Sequence, residues 1–195
     1  LFSKRISIKL DYSKILKFGL PVLLSGIIII LMITADQLLV KHYLTSAEAG
    51  YYNAAGMIAK VIWFGSGFFV SVLFPKIIEL RAKNKDYSRL LRRTLLYTSL
   101  LIVIGCSVYL IFPELIVYLL YGSSYLEISP YIFLFGLAMG FYSLINTLMI
   151  FDLAIEDYKF IYVLLIGLIA QIIGILIFHE SYSQGLEGNV YYFSV

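Results

Sequence analysis

The sequence predicts an all-α integral membrane protein with about five transmembrane helices. Three observations carry that prediction. Apolar residues make up 61% of the 195 residues and charged residues only 14%, against roughly 45–50% and about 25% in soluble domains. Five apolar runs each reach the about 20 residues that a spanning helix requires. Lys and Arg gather in alternate connections between those runs.

The runs fall at 15–43, 48–78, 87–112, 130–152 and 157–178. Thr45-Ser46-Ala47-Glu48 offers an N-cap with an acid in the first turn, which opens the second helix. The segment Arg81-Ala82-Lys83-Asn84-Lys85-Asp86 is too charged for lipid and separates the second helix from the third. Pro113 ends the third helix, having no N–H to donate. The apolar stretch 114–121 is too short to span and reads as an interfacial helix, closed by Gly122-Ser123-Ser124. Pro130 suits the start of the fourth helix, and Glu156-Asp157 the start of the fifth. Residues 1–14 form a basic linker, and 15–195 the membrane bundle.

Charge sets the expected orientation. Lys4, Arg5, Lys9, Lys14 and Lys17 precede or open the first helix. Lys76, Arg81, Lys83, Lys85, Arg89, Arg92 and Arg93 flank the second connection, and Lys159 lies in the fourth. The opposite connections hold only Lys41. Basic loops stay in the cytoplasm, so the N-terminal segment and the 76–93 loop are expected there, in a multi-pass protein of the cytoplasmic membrane. The net charge of +3 gives no reason to expect a nucleic-acid partner. The single Cys106 excludes an internal disulfide framework.

An ionisable residue within a span is costly and marks a functional site by default. Lys60 lies near the middle of the second span. At 100° per residue, Asn53, Gly56, Lys60, Phe64, Gly67 and Ser71 fall within an arc of roughly 80°. That arc could line a water-filled substrate cavity with Lys60 as its cation. Alternatively, Lys60 snorkels along its own helix to an interface, and the small residues only let helices approach. Asp36, late in the first span, either binds a coupling cation or substrate group or faces water. A direct Asp36–Lys60 pair is disfavoured by a depth difference of roughly 10 Å. Gly136 and Gly140, with Ser143, Asn146 and Thr147, and Gly167, Gln171 and Gly174 read foremost as packing faces. Asn146 and Gln171 are second-rank cavity residues.

His42 and His179 have no Cys or carboxylate at ligand spacing, which argues against a metal site. No phosphate-cradling glycine loop, nucleophile elbow or zinc-protease motif occurs. Nothing in the residues points to an enzyme, and no cofactor is implied beyond an unidentified coupling proton or Na+.

The stretch Asp36-Gln37-Leu38-Leu39-Val40-Lys41-His42-Tyr43-Leu44-Thr45-Ser46-Ala47-Glu48-Ala49-Gly50-Tyr51-Tyr52-Asn53-Ala54-Ala55 resembles the flippases of the polysaccharide and oligosaccharide biosynthesis family. Their superfamily also holds the multidrug and toxin extrusion transporters and the lipid II flippases. In such proteins an Asp precedes a short outer loop, and a Gly-x-Tyr-x-Ala-Ala-like start opens the next helix. That helix commonly ends near a Phe-Pro, matched by Phe74-Pro75. Leu119-Leu120-Tyr121-Gly122-Ser123-Ser124-Tyr125 is similar to the family's short outer segment.

The resemblance implies two six-helix bundles around an alternately opened cavity. This chain would be most of the second bundle, its partners the bilayer, a lipid-linked glycan and a first bundle of the same polypeptide. It implies a flippase for lipid-linked oligosaccharide or polysaccharide precursor, with Lys60 on the anionic headgroup and Asn53 and Ser71 on sugars. Alternatives are a cation-coupled multidrug antiporter of the same superfamily, a membrane-embedded glycolipid enzyme, and a structural subunit. A midplane Lys argues against the last.

Overall fold

The computed structural model describes the backbone of residues 12–43 and 45–190, and the side chains of 16–43 and 45–177. Helices α1 (Tyr12–Tyr43), α2 (Ser46–Ala82), α3 (Ser88–Ile111), α4 (Pro113–Tyr121), α5 (Ile132–Ile155) and α6 (Phe160–Val190) follow in order. A 3-10 segment, Ser123–Tyr131, links α4 to α5. Five stretches are long and apolar enough to cross a membrane: Leu16–Tyr43, Ser46–Ala82, Ser88–Ile111, Ser123–Ile155 and Phe160–Ile177. The protein is a multi-pass, all-helical membrane protein.

The boundaries differ from expectation in ways that have local causes. Residues 12–14 belong to α1, and the rest of the expected linker lies outside the described residues. The capping box opens α2 at Ser46: the Glu48 N–H donates to Thr45 Oγ1 (3.4 Å) and the Thr45 N–H to Glu48 Oε2 (2.9 Å). Phe74-Pro75 sits inside α2, which continues to Ala82. Pro75 withdraws only one N–H. Beyond it, Ile77 is fully buried, and Glu79 pairs with Lys76 (2.7 Å) and Lys83 (2.6 Å).

Pro113 takes the first position of α4, where its missing N–H costs nothing. Pro130 does not start a helix: it lies within the 3-10 segment, and α5 begins at Ile132. Glu156-Asp157 closes α5 rather than opening α6. Glu156 adopts a left-handed conformation (φ 61°), and the Asp157 N–H returns to the Asp152 carbonyl at 3.0 Å. In the second connection, Asp86 Oδ1 accepts the Ser88 N–H at 2.8 Å. That bond holds the Asp86 carboxyl below its ordinary range.

Helix α5 is the axis of the bundle. On one side it meets α2 and α3, where Ile58, Ile62, Ile102, Cys106, Tyr109 and Ile132 form a core. On the other it meets α1 and α6 through Ile28, Ile29, Met32, Ile33, Met149, Leu153, Leu164 and Leu168. Close approach needs Gly136 and Gly140. A Cβ on Gly136 would lie 2.6 Å from the Tyr109 ring, and one on Gly140 2.6 Å from Ile102 Cγ2. The Tyr109 hydroxyl donates to the Ile58 carbonyl at 2.6 Å, pinning α3 to α2. At the end that carries the basic connection, Arg81 Nη1 pairs with Glu156 (2.9 Å) and reaches the Ala154 carbonyl (3.4 Å), tying α2 to α5.

Gly136→Ala in α5 is expected to lower stability by about 1–3 kcal/mol through overpacking. Gly26→Ala, where nothing lies within 4 Å of an added Cβ, serves as the control. Thermal unfolding in one detergent checks this; equal midpoints for the two variants contradict the tight crossing.

Candidate functional site

A row of residues at four-residue spacing, Tyr52, Gly56 and Lys60, lies along one face of α2. Opposite it, α1 presents Asp36 and Gln37. The Tyr52 hydroxyl donates to Asp36 Oδ2 at 2.9 Å, and the Gln37 N–H donates to Asp36 Oδ1 at 2.8 Å. Lys60 Nζ donates to Gln37 Oε1 at 3.1 Å. The glycine between them has a purpose: a Cβ on Gly56 would lie 3.1 Å from Gln37 Nε2. A side chain there would press on the carboxamide and shift it by a few tenths of an ångström. Gln37's orientation follows, since an ammonium can only donate.

Lys60 is buried, with 8% of its surface exposed. Its charge acts on Asp36 without direct contact: among the described residues no ion pair joins them, but Lys60 lies within electrostatic reach of the carboxylate. The expected depth gap closes for a geometric reason. Helical side chains lean toward their own N-terminus, and α1 and α2 run in opposite directions. Gln37 and Lys60 therefore lean toward each other.

A second set of polar contacts continues the site across α1, α5 and α6. Gln171 Nε2 donates to the Met32 carbonyl at 2.8 Å, one turn before Asp36, and Gln171 Oε1 accepts from the Tyr142 hydroxyl at 3.0 Å. Asp36 is also within electrostatic reach of Tyr142. Beside this contact an open pocket of about 290 Å³ is lined by Met32, Phe141, Tyr142, Ile145 and Gln171, with Ala138 and Gly167.

Of the residues singled out from sequence, Lys60, Asp36 and Gln171 meet in this network. Asn53 is half-buried one position off the row, and Asn146 is half-buried one turn beyond Tyr142; neither side chain has a hydrogen-bond partner among the described residues. Ser71 is exposed, and its hydroxyl donates to the Phe68 carbonyl of its own helix at 2.8 Å. Phe64 is 65% exposed. The predicted arc thus divides: its first half packs on α1, and its second half lies at the bundle surface. Sequence reasoning missed Gln37, Tyr52 and Tyr142. Gln37 carried a signal, as a second polar residue beside Asp36 in an apolar run. His42 is exposed and meets the Tyr43 ring edge-on at 5.0 Å, and the His179 side chain lies outside the described residues. Among the described residues no three His, Cys, Asp or Glu side chains gather as metal ligands would.

A bundle of spanning helices that bonds together a buried ammonium and a half-buried carboxylate, two carboxamides and two phenols is a membrane protein with a polar site between its helices. By the match of the family model described as "Polysaccharide biosynthesis protein" over residues 2–130, the chain belongs to that family. The match covers Asp36, Gln37, Tyr52 and Lys60; Tyr142 and Gln171 lie beyond it. No curated protein and no solved structure matches the chain.

The Lys60–Gln37 contact should show as a coupling in stability. Gln37→Leu alone leaves a buried ammonium without its acceptor and is expected to cost about 1.5–3 kcal/mol. Adding Lys60→Met removes the stranded charge and should restore part of that loss. Unfolding of the two single variants and the double variant in detergent measures it; strictly additive losses would refute the contact.

Proposed function

We propose that this chain forms one bundle of a flippase that moves a lipid-linked oligosaccharide or polysaccharide precursor across the cytoplasmic membrane by alternating access. Family membership supports the polysaccharide. The observation that carries the transport step is the buried Lys60 bonded into the half-buried Gln37–Asp36–Tyr52 network, because an ionisable group inside a span is retained at a cost. The alternation of basic connections supports the placement of the Arg81–Arg93 end in the cytoplasm.

The chemistry suits the cargo. A lipid-linked glycan carries a phosphate or diphosphate that hydrocarbon does not solvate. Lys60 is a mobile point charge on a flexible stem. It rests on a neutral acceptor, Gln37, which it can leave without breaking an ion pair. In this reading Lys60 exchanges Gln37 Oε1 for a phosphate oxygen as the site opens, while Asp36, Tyr52, Tyr142 and Gln171 offer hydrogen bonds to sugar hydroxyls. The other half of the cavity comes from a companion bundle. The half-buried Asp36 carboxylate also supports a second reading, coupling to a proton or Na+, which a drug antiporter of the same superfamily would share.

Lys60→Gln keeps an N–H for Gln37 but removes the charge. In the full-length protein it is expected to reduce glycan export at least about tenfold, the loss of roughly one charge-assisted hydrogen bond. Export is read as surface glycan in cells lacking the native copy. Undiminished export at equal protein level would overturn the role given to Lys60.

A further inference from the structure

Three tyrosines pack together at the end of the bundle opposite the basic connection. Tyr51 of α2 meets Tyr125 of the 3-10 segment edge-on, with ring centroids 5.2 Å apart, and Tyr121 at the end of α4 lies 5.2 Å from Tyr125 on its other side. Next along α2, Tyr52 meets Phe135 of α5 edge-on at 4.9 Å and bonds to Asp36. The tyrosine cluster therefore lies one residue along α2 from the polar network.

We infer that Tyr51, Tyr121 and Tyr125 form a stacking site for the sugar rings of the glycan, at the end of the bundle opposite the basic connection. The inference rests on the glycolipid reading of the polar network. Interfacial anchoring accounts for other tyrosines: Tyr118 and Tyr131 at the same end are 57% and 42% exposed, as side chains of an aromatic belt are. Tyr121, 38% exposed, forms the outer edge of the cluster, and its other two members differ from the belt. Tyr51 and Tyr125 are half-buried against the α2–α3–α5 core, so their rings are held in place rather than turned freely into lipid.

Their hydroxyls differ as well. Tyr52, Tyr109 and Tyr142 each donate to a protein oxygen. The hydroxyls of Tyr51, Tyr121 and Tyr125 have no protein partner among the described residues. They remain available to an outside donor or acceptor. A pyranose fits both properties. One face presents C–H groups to the negative face of an aromatic ring, and its rim presents hydroxyls that a phenol can both donate to and accept from. A bare lipid chain would use the rings and leave the hydroxyls unsatisfied.

The test uses the full-length protein in lipid nanodiscs and native mass spectrometry. Two probes are titrated: a polyprenyl diphosphate, and the same lipid carrying an N-acetylhexosamine disaccharide. The native protein should prefer the glycosylated lipid by about tenfold, the scale of one or two aromatic contacts. The triple variant Tyr51→Leu, Tyr121→Leu, Tyr125→Leu should lose that preference and keep its affinity for the bare lipid. The triple Tyr→Phe variant, which keeps the rings, should retain most of the preference. Tyr121→Leu alone, at the exposed edge of the cluster, should lose part of it and covers the case in which the triple Leu variant does not fold.

A preference that survives the Leu substitutions overturns the stacking site. So does equal loss in the Phe and Leu variants. If the native protein binds both lipids equally, the stacking site falls and the lipid-diphosphate reading stands. If it binds neither, the glycolipid reading falls and takes the site with it.

Discussion

Hydrocarbon offers no hydrogen bonds, so every polar group that enters it must find a partner within the bundle. That constraint organises this protein more than any single contact. The backbone answers with helices. The small hydroxyl side chains answer by bonding back to their own helices: Ser25 to the Val22 carbonyl, Ser66 to Trp63, Ser143 to Met139 and Thr147 to Ser143. These residues are polar in composition but closed in practice. Among the described residues, Trp63 Nε1 and Thr98 Oγ1 are buried without a partner. Asp36, Gln37, Tyr52, Lys60, Tyr142 and Gln171 bond between helices instead, as does Tyr109.

Packing places those groups. Gly136 and Gly140 bring α5 against α3, and Tyr109 fixes α3 to α2. With α2 held on one side of α5, and α1 and α6 gathered on the other by Met149, Leu153, Leu164 and Leu168, the polar faces of α1 and α2 are turned toward each other. The Arg81–Glu156 pair secures the far end of the α2–α5 contact. It is half-exposed on both sides, so its worth is small; its geometry matters more, because Arg81 also reaches the Ala154 carbonyl near the end of α5. The polar network joins α1 to α2 by hydrogen bonds, whereas α2, α3 and α5 are locked by shape.

The helices were legible because an apolar run of spanning length suits a bilayer and little else, and because Thr45, Glu48 and Pro113 act locally. Their ends were less so. Pro130 and Glu156 behave as the tertiary environment dictates: the first is absorbed in a 3-10 segment, and the second takes a left-handed cap. In the site, Lys60 stood out as a costly charge in an apolar run, Asp36 stood open between a binding group and a solvated carboxylate, and Gln171 read foremost as a packing residue. Tyr52 and Tyr142 did not, since tyrosine is common in this chain and suits an interface as well as a core. Ser71 lies apart from this network, its hydroxyl bonded back to its own helix. Backbone depth alone set the Asp36 and Lys60 regions apart. The length and lean of Gln37 and Lys60, which meet between them, bring the two regions together.

The polar site stands on Gln37 of α1 lying over Gly56 of α2. Paired cysteines read this directly, in the full-length protein in native membranes with Cys106→Ser and a bis-methanethiosulfonate cross-linker about as long as the Gln37 side chain that it replaces. Gln37→Cys with Gly56→Cys should be joined readily, seen as a mobility shift reversed by reductant. Gln37→Cys with Met57→Cys, one residue on and 55% exposed on the outer face of α2, should not. Equal cross-linking of the two pairs, or cross-linking of the Met57 pair alone, would contradict the arrangement of α1 and α2 on which the site depends.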